Sequence, residues 1–453
     1  MARTPARPRK PAVRRATKPR APRAIVRMYR QGLGDCFLVT LPRPAADGGP
    51  FRIMIDCGVL LGTPDAKEMM TKVAADIAGT SNGKVDLLIV THEHWDHVSG
   101  FLQAREALQG IQFGAVWMGW TESPDDPQAK RLDDRRKQAL NALRLADSRM
   151  QLAGAADPEL SDLLGFFGAA GNSTRDALQA ARALAPPGGL RYAEPGEKPT
   201  APAGSSARLY VLGPPRNEAL LLRSDPSGKA PETYHFGFAG FSMDEAEKSL
   251  TADEPTGPFG PAATIPLAAA RGMPAFRRYF ADGSAGAGEA WRRIDTAWLD
   301  GAADLALRLD HDTNNTSLAI AIELDNDDVL LFAADAQVGN WLSWQTLTWD
   351  VDGRAVTGPD LLARTIFYKV GHHGSHNATL REQGLERMTR LQAVAIPVDQ
   401  AIATKRGWNR MPLDSLLARL AEKTNGRVLR SDHPAPHGIP GLIETDLFFE
   451  LTF

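Results

Sequence analysis

Val85-Asp86-Leu87-Leu88-Ile89-Val90, followed after Thr91 by His92-Glu93-His94-Trp95-Asp96-His97, is the most informative stretch of this chain. The apolar run reads as a strand buried on both faces. Directly after it come four potential metal ligands in six residues. His92 and His94 stand two apart, so on extended chain both point to one side. Asp96 and His97 come where the chain turns into a helix over about 100–108, and face the same cavity from another direction. Imidazoles with a carboxylate suit Zn²⁺, and also Mn²⁺ or Fe²⁺. Glu93 and Trp95 alternate with the ligands and are expected to point away. Zinc-protease chemistry of the HExxH kind is excluded, because position 96, where its second histidine belongs, is Asp.

Outward from this stretch, further strand ends carry the same residue types. Residues 25–30, 36–41 and 51–55 read as three strands rich in Val, Ile, Phe and Leu, with a turn at Gly32-Leu33-Gly34-Asp35. Residues 317–324 and 329–332 read as a hairpin, and its apolar second arm runs into Asp335. A carboxylate at such a strand end can bridge two divalent ions, which lie about 3.5–4 Å apart in two-metal sites. A strand over 366–370 leads into Gly371-His372-His373-Gly374-Ser375-His376. The C-terminal part continues as a strand at 393–397, a helix over about 412–424, and strands near Val428 and over 443–451.

Between these blocks lie two insertions. Residues 121–189 are rich in Ala, Leu and Arg at helical spacing. Residues 214–305 are rich in Gly, Pro, Ala and Ser, a composition that fits a lid, a binding loop or a disordered segment better than core. The chain has two cysteines, Cys36 and Cys57, which offer no disulfide framework and suit a reducing, cytoplasmic setting. No apolar run of roughly 18 residues is present to span a membrane. Residues 1–24 form a Pro- and Ala-rich basic arm with no apolar period, read as disordered. Up to residue 23 it carries nine Lys or Arg and no acid, so the rest of a chain with net charge −2 is acidic. Arg14-Arg15 lacks the apolar stretch that an export signal requires. The arm is either a solubilising tail or a segment that binds a polyanion such as nucleic acid by counterion release.

With these segments in order, the chain resembles the metallo-β-lactamase superfamily, whose HxHxDH signature is matched by His92, His94, Asp96 and His97. It is most similar to the ComEC-like branch, which contains the metallohydrolase domain of a DNA-uptake channel protein. The features that match are Gly32 to Asp35, Ile55-Asp56-Cys57-Gly58, Asn315-Thr316-Ser317-Leu318, the run into Asp335, Lys369 to Ser375 and Gly426 to Asp432. The resemblance implies an α/β fold, an αββα sandwich formed by a single domain over 25–453 that carries the two insertions. It implies two divalent ions, with Zn²⁺ first in line. His92 and His94 would hold one ion; Asp96, His97 and His372 would hold the other; Asp335 would bridge. Asp56 would orient the ligand loop from behind. His373 is the alternative to His372. Most relatives add a third histidine to the first ion, just before the strand at 317–324. Here Leu309-Asp310-His311-Asp312-Thr313-Asn314-Asn315 stands instead, so His311 or an asparagine contact, with Asn315 the candidate, would take that place.

The chemistry so implied is hydrolysis by a metal-activated hydroxide, oriented by Asp96 and Asp335. His373 or His376 would donate a proton to the leaving group or hold a phosphate oxygen. The branch points to phosphodiester bonds of nucleic acid or a nucleotide. Hydrolysis of a small ester, lactone or amide is the rival reading, because one fold hosts many reactions. A non-catalytic module with structural metals is a third.

Overall fold

The computed structural model describes residues 22–44, 48–152, 164, 173–227, 232–233, 265, 267–276, 309 and 312–453. Two sheets carry the architecture. The first runs, in spatial order, β17 (Leu442–Glu444), β18 (Phe448–Thr452), β1 (Ile25–Tyr29), β2 (Phe37–Leu41), β3 (Phe51–Ile55), β5 (Leu87–Ile89), β7 (Val116–Gly119) and β8 (Leu190–Ala193). The second runs β16 (Val428–Arg430), β15 (Ala393–Ile396), β14 (Thr365–Lys369), β11 (Val329–Phe332), β10 (Ile320–Glu323) and β9 (Arg208–Val211). Two small pairs, β4 (Lys84–Val85) with β6 (Gln112–Phe113) and β12 (Thr348–Val351) with β13 (Arg354–Thr357), lie outside them.

Alternation along the strands builds four layers, because successive side chains leave opposite faces of a sheet. Phe37, Val39, Ile53 and Ile55 of the first sheet meet Ile320, Ile322, Leu330 and Phe332 of the second in one apolar core. The intervening Leu38, Met54 and Leu88 face the other way, onto the helices Ala66–Ser81, Gly100–Gln103 and Ser173–Arg182. On the far side of the second sheet, Leu331, Tyr368, Val394 and Ile396 pack against the helices Val338–Ser343, Gly358–Ala363 and Asp414–Thr424. The result is the expected αββα sandwich.

Strand direction brings the chemistry to one end. β3, β5, β7 and β8 are parallel, and so are β11, β14, β15 and β16. The loops after β3, β5, β11 and β14 therefore open at the same edge of their sheets, as does the segment leading into the antiparallel β10. Leu318 N donates to Thr91 O at 2.8 Å and ties the two sheets together there.

Several boundaries differ from the sequence reading. The run 85–90 breaks at Asp86, whose carboxylate accepts from Arg52 N (2.9 Å) and pairs with Arg43 (3.0 Å). The single strand expected over 443–451 is two antiparallel strands, β17 and β18, joined by a turn in which Thr445 Oγ1 accepts from Leu447 N and Phe448 N. β7 had an apolar signal, Val116-Trp117-Met118, that the reading passed over. In the first insertion the helices Pro127–Leu152 and Ser173–Arg182 are described; most of the second, with most of the basic arm, lies outside the described residues. The end of the arm is tied down, since Arg23 N donates to Phe453 O (2.7 Å) and Ala24 is buried. Among the described residues no helix is long and apolar enough to cross a membrane.

Candidate metal centre

The loop after β5 is held from behind by the residue that follows β3. Asp56, in the left-handed region at φ 55°, accepts from Thr91 N (2.8 Å), Thr91 Oγ1 (2.6 Å) and His97 Nδ1 (2.8 Å). Two glycines let neighbouring turns close on the same loop. A Cβ on Gly58 would sit 2.3 Å from Asp96 O, and one on Gly34 would sit 2.6 Å from it. Asp35 N and Cys57 N use that proximity to donate to Asp96 O (3.0 Å) and His97 O (2.9 Å).

Four side chains then converge. His373 Nε2 is 2.9 Å from Asp96 Oδ2 and 3.6 Å from Asp335 Oδ2. His97 Nε2 is 3.2 Å from Asp335 Oδ2 and 3.9 Å from Asp96 Oδ2. Donors on a tetrahedral ion at about 2.0–2.2 Å stand roughly 3.3–3.6 Å apart, and these distances bracket that range. Behind the rings, His97 Nδ1 donates to Asp56 and His373 Nδ1 donates to Pro397 O (2.6 Å), which turns both Nε2 atoms into the pocket. His97 Nε2 and Asp96 Oδ1 are buried with no hydrogen-bond partner among the described residues. A buried polar atom without a partner is costly, and a cation here satisfies both. The donor set therefore fits a divalent metal.

The electrostatics point the same way. Burial opposes ionisation of Asp96, but His97 and the hydrogen bond from His373 outweigh it and hold the carboxyl at about 2. Burial likewise opposes Asp335, which His97, Lys369 and His373 keep well below the usual carboxylate range. Against burial, Asp335, Asp35, Asp96 and Asp56 hold His97 well above an ordinary imidazole, and Asp335 and Asp96 raise His373. Protons on these rings stand where a cation would neutralise the carboxylates.

Beside this pocket, His92 Nε2 and His94 Nδ1 lie 3.1 Å apart, and Asn314 Oδ1 is 2.9 Å from His94 Nδ1. Burial pushes His94 down to about 4 and His92 well below the ordinary value, so both rings are neutral at pH 7. Neutral imidazole is the form that binds metal.

The other expected residues fall elsewhere. His372 does not join Asp96 and Asp335; His373 does. His372 and His373 both adopt left-handed backbone, at φ 42° and 51°, so the chain here does not continue as an extended strand. His372 is half-buried, with Nε2 3.4 Å from Asn314 Nδ2. Asn315 is a structural tie. Its amide donates to Leu220 O and Leu221 O and accepts from Gln337 N and Asn340 N, while its neighbour Asn314 faces the histidines. His376 sits outside the pocket, half-exposed and 3.9 Å from Asp225. His311 lies outside the described residues.

Three residues escaped the sequence reading. Lys369, fully buried, reaches Asp35 (2.6 Å), Asp335 (3.1 Å) and Ala334 O (2.9 Å). Its signal was a lysine inside an otherwise apolar strand. Asp35 lies within 4.8 Å of His97, Asp335 and His373 and is itself a possible ligand with them. Asp96 is the better fourth ligand, since Asp35 pairs with Lys369 and approaches the Nδ1 sides of the rings, at 3.9 and 3.8 Å. Asn314 is the third, and nothing local distinguishes it from Asn315.

No curated protein matches this chain. The family model of the metallo-beta-lactamase superfamily matches residues 30–114. That span holds Asp35, Asp56 and the His92–His97 loop, while Asp335 and His373 lie beyond it. A domain of this superfamily implies a metal-dependent hydrolase, and the buried Asp/His cluster supplies a place for the metal. Over residues 30–114 the chain is similar to the metallo-β-lactamase superfamily, and the two packed sheets and the buried Asp/His cluster accord with that likeness.

Proposed function

We propose that this protein hydrolyses phosphodiester bonds in nucleic acid or a nucleotide, with Zn²⁺ as the metal. The observation that carries the metal-dependent part is the convergence of Asp96, His97, Asp335 and His373, with His-to-carboxylate distances of 2.9–3.9 Å, beside the neutral pair His92 and His94. These residues would hold the ions. When bound, such ions make water nucleophilic near neutral pH and withdraw charge from the scissile oxygen.

The protein's own groups do the rest. Asp56 and Pro397 O orient the two histidines; Lys369 holds one oxygen of Asp335 and leaves the other facing His97 and His373. Asp96 and Asp335, ionised at neutral pH, accept hydrogen bonds from an attacking water and hold its orientation. His376, at the half-exposed rim, is the group available to contact a leaving group or a phosphate oxygen.

The phosphodiester assignment draws on the ComEC-like motifs, GHHGS above all, and on the basic arm as a substrate tether. The acidity of the rest of the chain favours a short or small phosphodiester over a long duplex. A cytoplasmic setting accords with the two free, buried cysteines. The test is cleavage of single-stranded DNA, RNA and a chromogenic phosphodiester, beside a panel of esters and lactones, each with and without EDTA. Phosphodiester turnover that is abolished by EDTA and by Asp96→Ala supports the proposal. Turnover confined to the ester and lactone panel overturns the substrate class.

A further inference from the structure

We infer that Asn314 Oδ1 is the third protein ligand of the first metal, so that this site is built from neutral donors alone and binds its ion more weakly than the site at Asp96, His97, Asp335 and His373. The inference rests on the metal-dependent reading above and extends it to the make-up of the site.

The carrying observation is a run of close contacts among three buried side chains of metal-binding type. His92 Nε2 lies 3.1 Å from His94 Nδ1, which lies 2.9 Å from Asn314 Oδ1. An amide oxygen only accepts hydrogen bonds, and a ring nitrogen either donates or accepts. With a proton on His94 Nδ1, that one N–H is shared between Asn314 Oδ1 and the lone pair of His92 Nε2, a three-centre arrangement in which neither contact is a linear hydrogen bond. With the proton on His92 Nε2, the lone pairs of His94 and Asn314 face each other at 2.9 Å. A cation shared by the three atoms satisfies both contacts at once, and spacings of 3.1 and 2.9 Å bring the donors close enough to share one ion. All three side chains are buried.

The amide is oriented from its other end. Asn314 Nδ2 lies 3.4 Å from His372 Nε2, which directs nitrogen to His372 and oxygen to His94. His372 thereby acts as a positioning residue for the first site. His92, His94 and Asn314 bring no carboxylate, and neutral imidazole is the form that binds metal, so this ligand set carries no charge of its own. Asp96 and Asp335 give the neighbouring set two carboxylates. That difference in ligand charge favours the ion of the neighbouring set.

Titration of metal-stripped full-length protein with Co²⁺, followed by calorimetry and by visible absorption, tests this. The wild type is expected to bind one ion tightly and a second more weakly. Asn314→Asp, which is isosteric and adds charge, tightens the second step at least about 10-fold and leaves the first in place. Asn314→Leu removes the second step and keeps the first. An unchanged second step in Asn314→Asp, or in a folded Asn314→Leu, overturns the assignment, as does equal affinity of the wild type for two ions. Failure of the wild type to bind any ion tightly instead overturns the metal-dependent reading itself.

Discussion

His373 Nε2 lies 2.9 Å from Asp96 Oδ2, although 277 residues separate the two in the chain. Asp96 follows a strand of the first sheet and His373 a strand of the second, so the pocket exists only once the sheets are packed together. Replacing His373 by Ala is expected to weaken the tight ion by more than the roughly 10–100-fold that loss of an outer partner costs. His372→Ala keeps that ion, because His372 faces Asn314 instead. Metal titration of the two stripped variants makes the comparison, and equal losses in both contradict the placement.

Asp56→Asn preserves shape but weakens the acceptor that fixes His97 and the Thr91 turn. Tight-metal affinity, or metal-dependent activity, is expected to fall about 10–100-fold while the far-ultraviolet circular dichroism stays unchanged. Wild-type affinity in this variant would count against an orienting role.

Lys369→Met takes away the cation between two buried carboxylates, Asp35 and Asp335. Breaking a buried pair in this way costs about 3–5 kcal/mol. The midpoint of urea unfolding of the stripped protein reports the loss. A change below about 1 kcal/mol, the value of an exposed pair, would show that Lys369 is not holding the two carboxylates.

The histidines set an opposed pH dependence for the stripped protein. His97 and His373 are raised, so the stability they contribute is complete below an ordinary imidazole value of about 6.5 and is lost as pH rises through their raised values. His92 and His94 are depressed, so their contribution is present above about 6.5 and is lost as pH falls, for His94 down to about 4. Thermal unfolding of stripped protein from pH 5 to 9 is expected to show highest stability between these limits. Added Zn²⁺ replaces the protons on His97 and His373, so the gain it brings grows with pH. A metal-induced gain that shrinks from pH 6 to 8 would exclude this proton exchange.

The layers were legible in the order of residues, because each strand alternates buried faces and each ligand segment follows its strand directly. His92, His94, Asp96 and His97 belong to one local motif, and Asp335 ends an apolar run, so the residues and their strand ends were visible without any partner. The finer choices depended on backbone far from those signals. Left-handed dihedrals at His372 and His373, adopted where the chain leaves β14, turn His373 and not His372 towards Asp96. The turn before β10 points Asn314 at His94 and leaves Asn315 to bind Leu220 O and Gln337 N. Asp35 and Lys369 meet only because the turn after β1 reaches across to β14. Local sequence names the ligand types, since their spacing is a property of one segment. Which neighbour enters the pocket is a property of two sheets meeting, and it appears only in the tertiary structure.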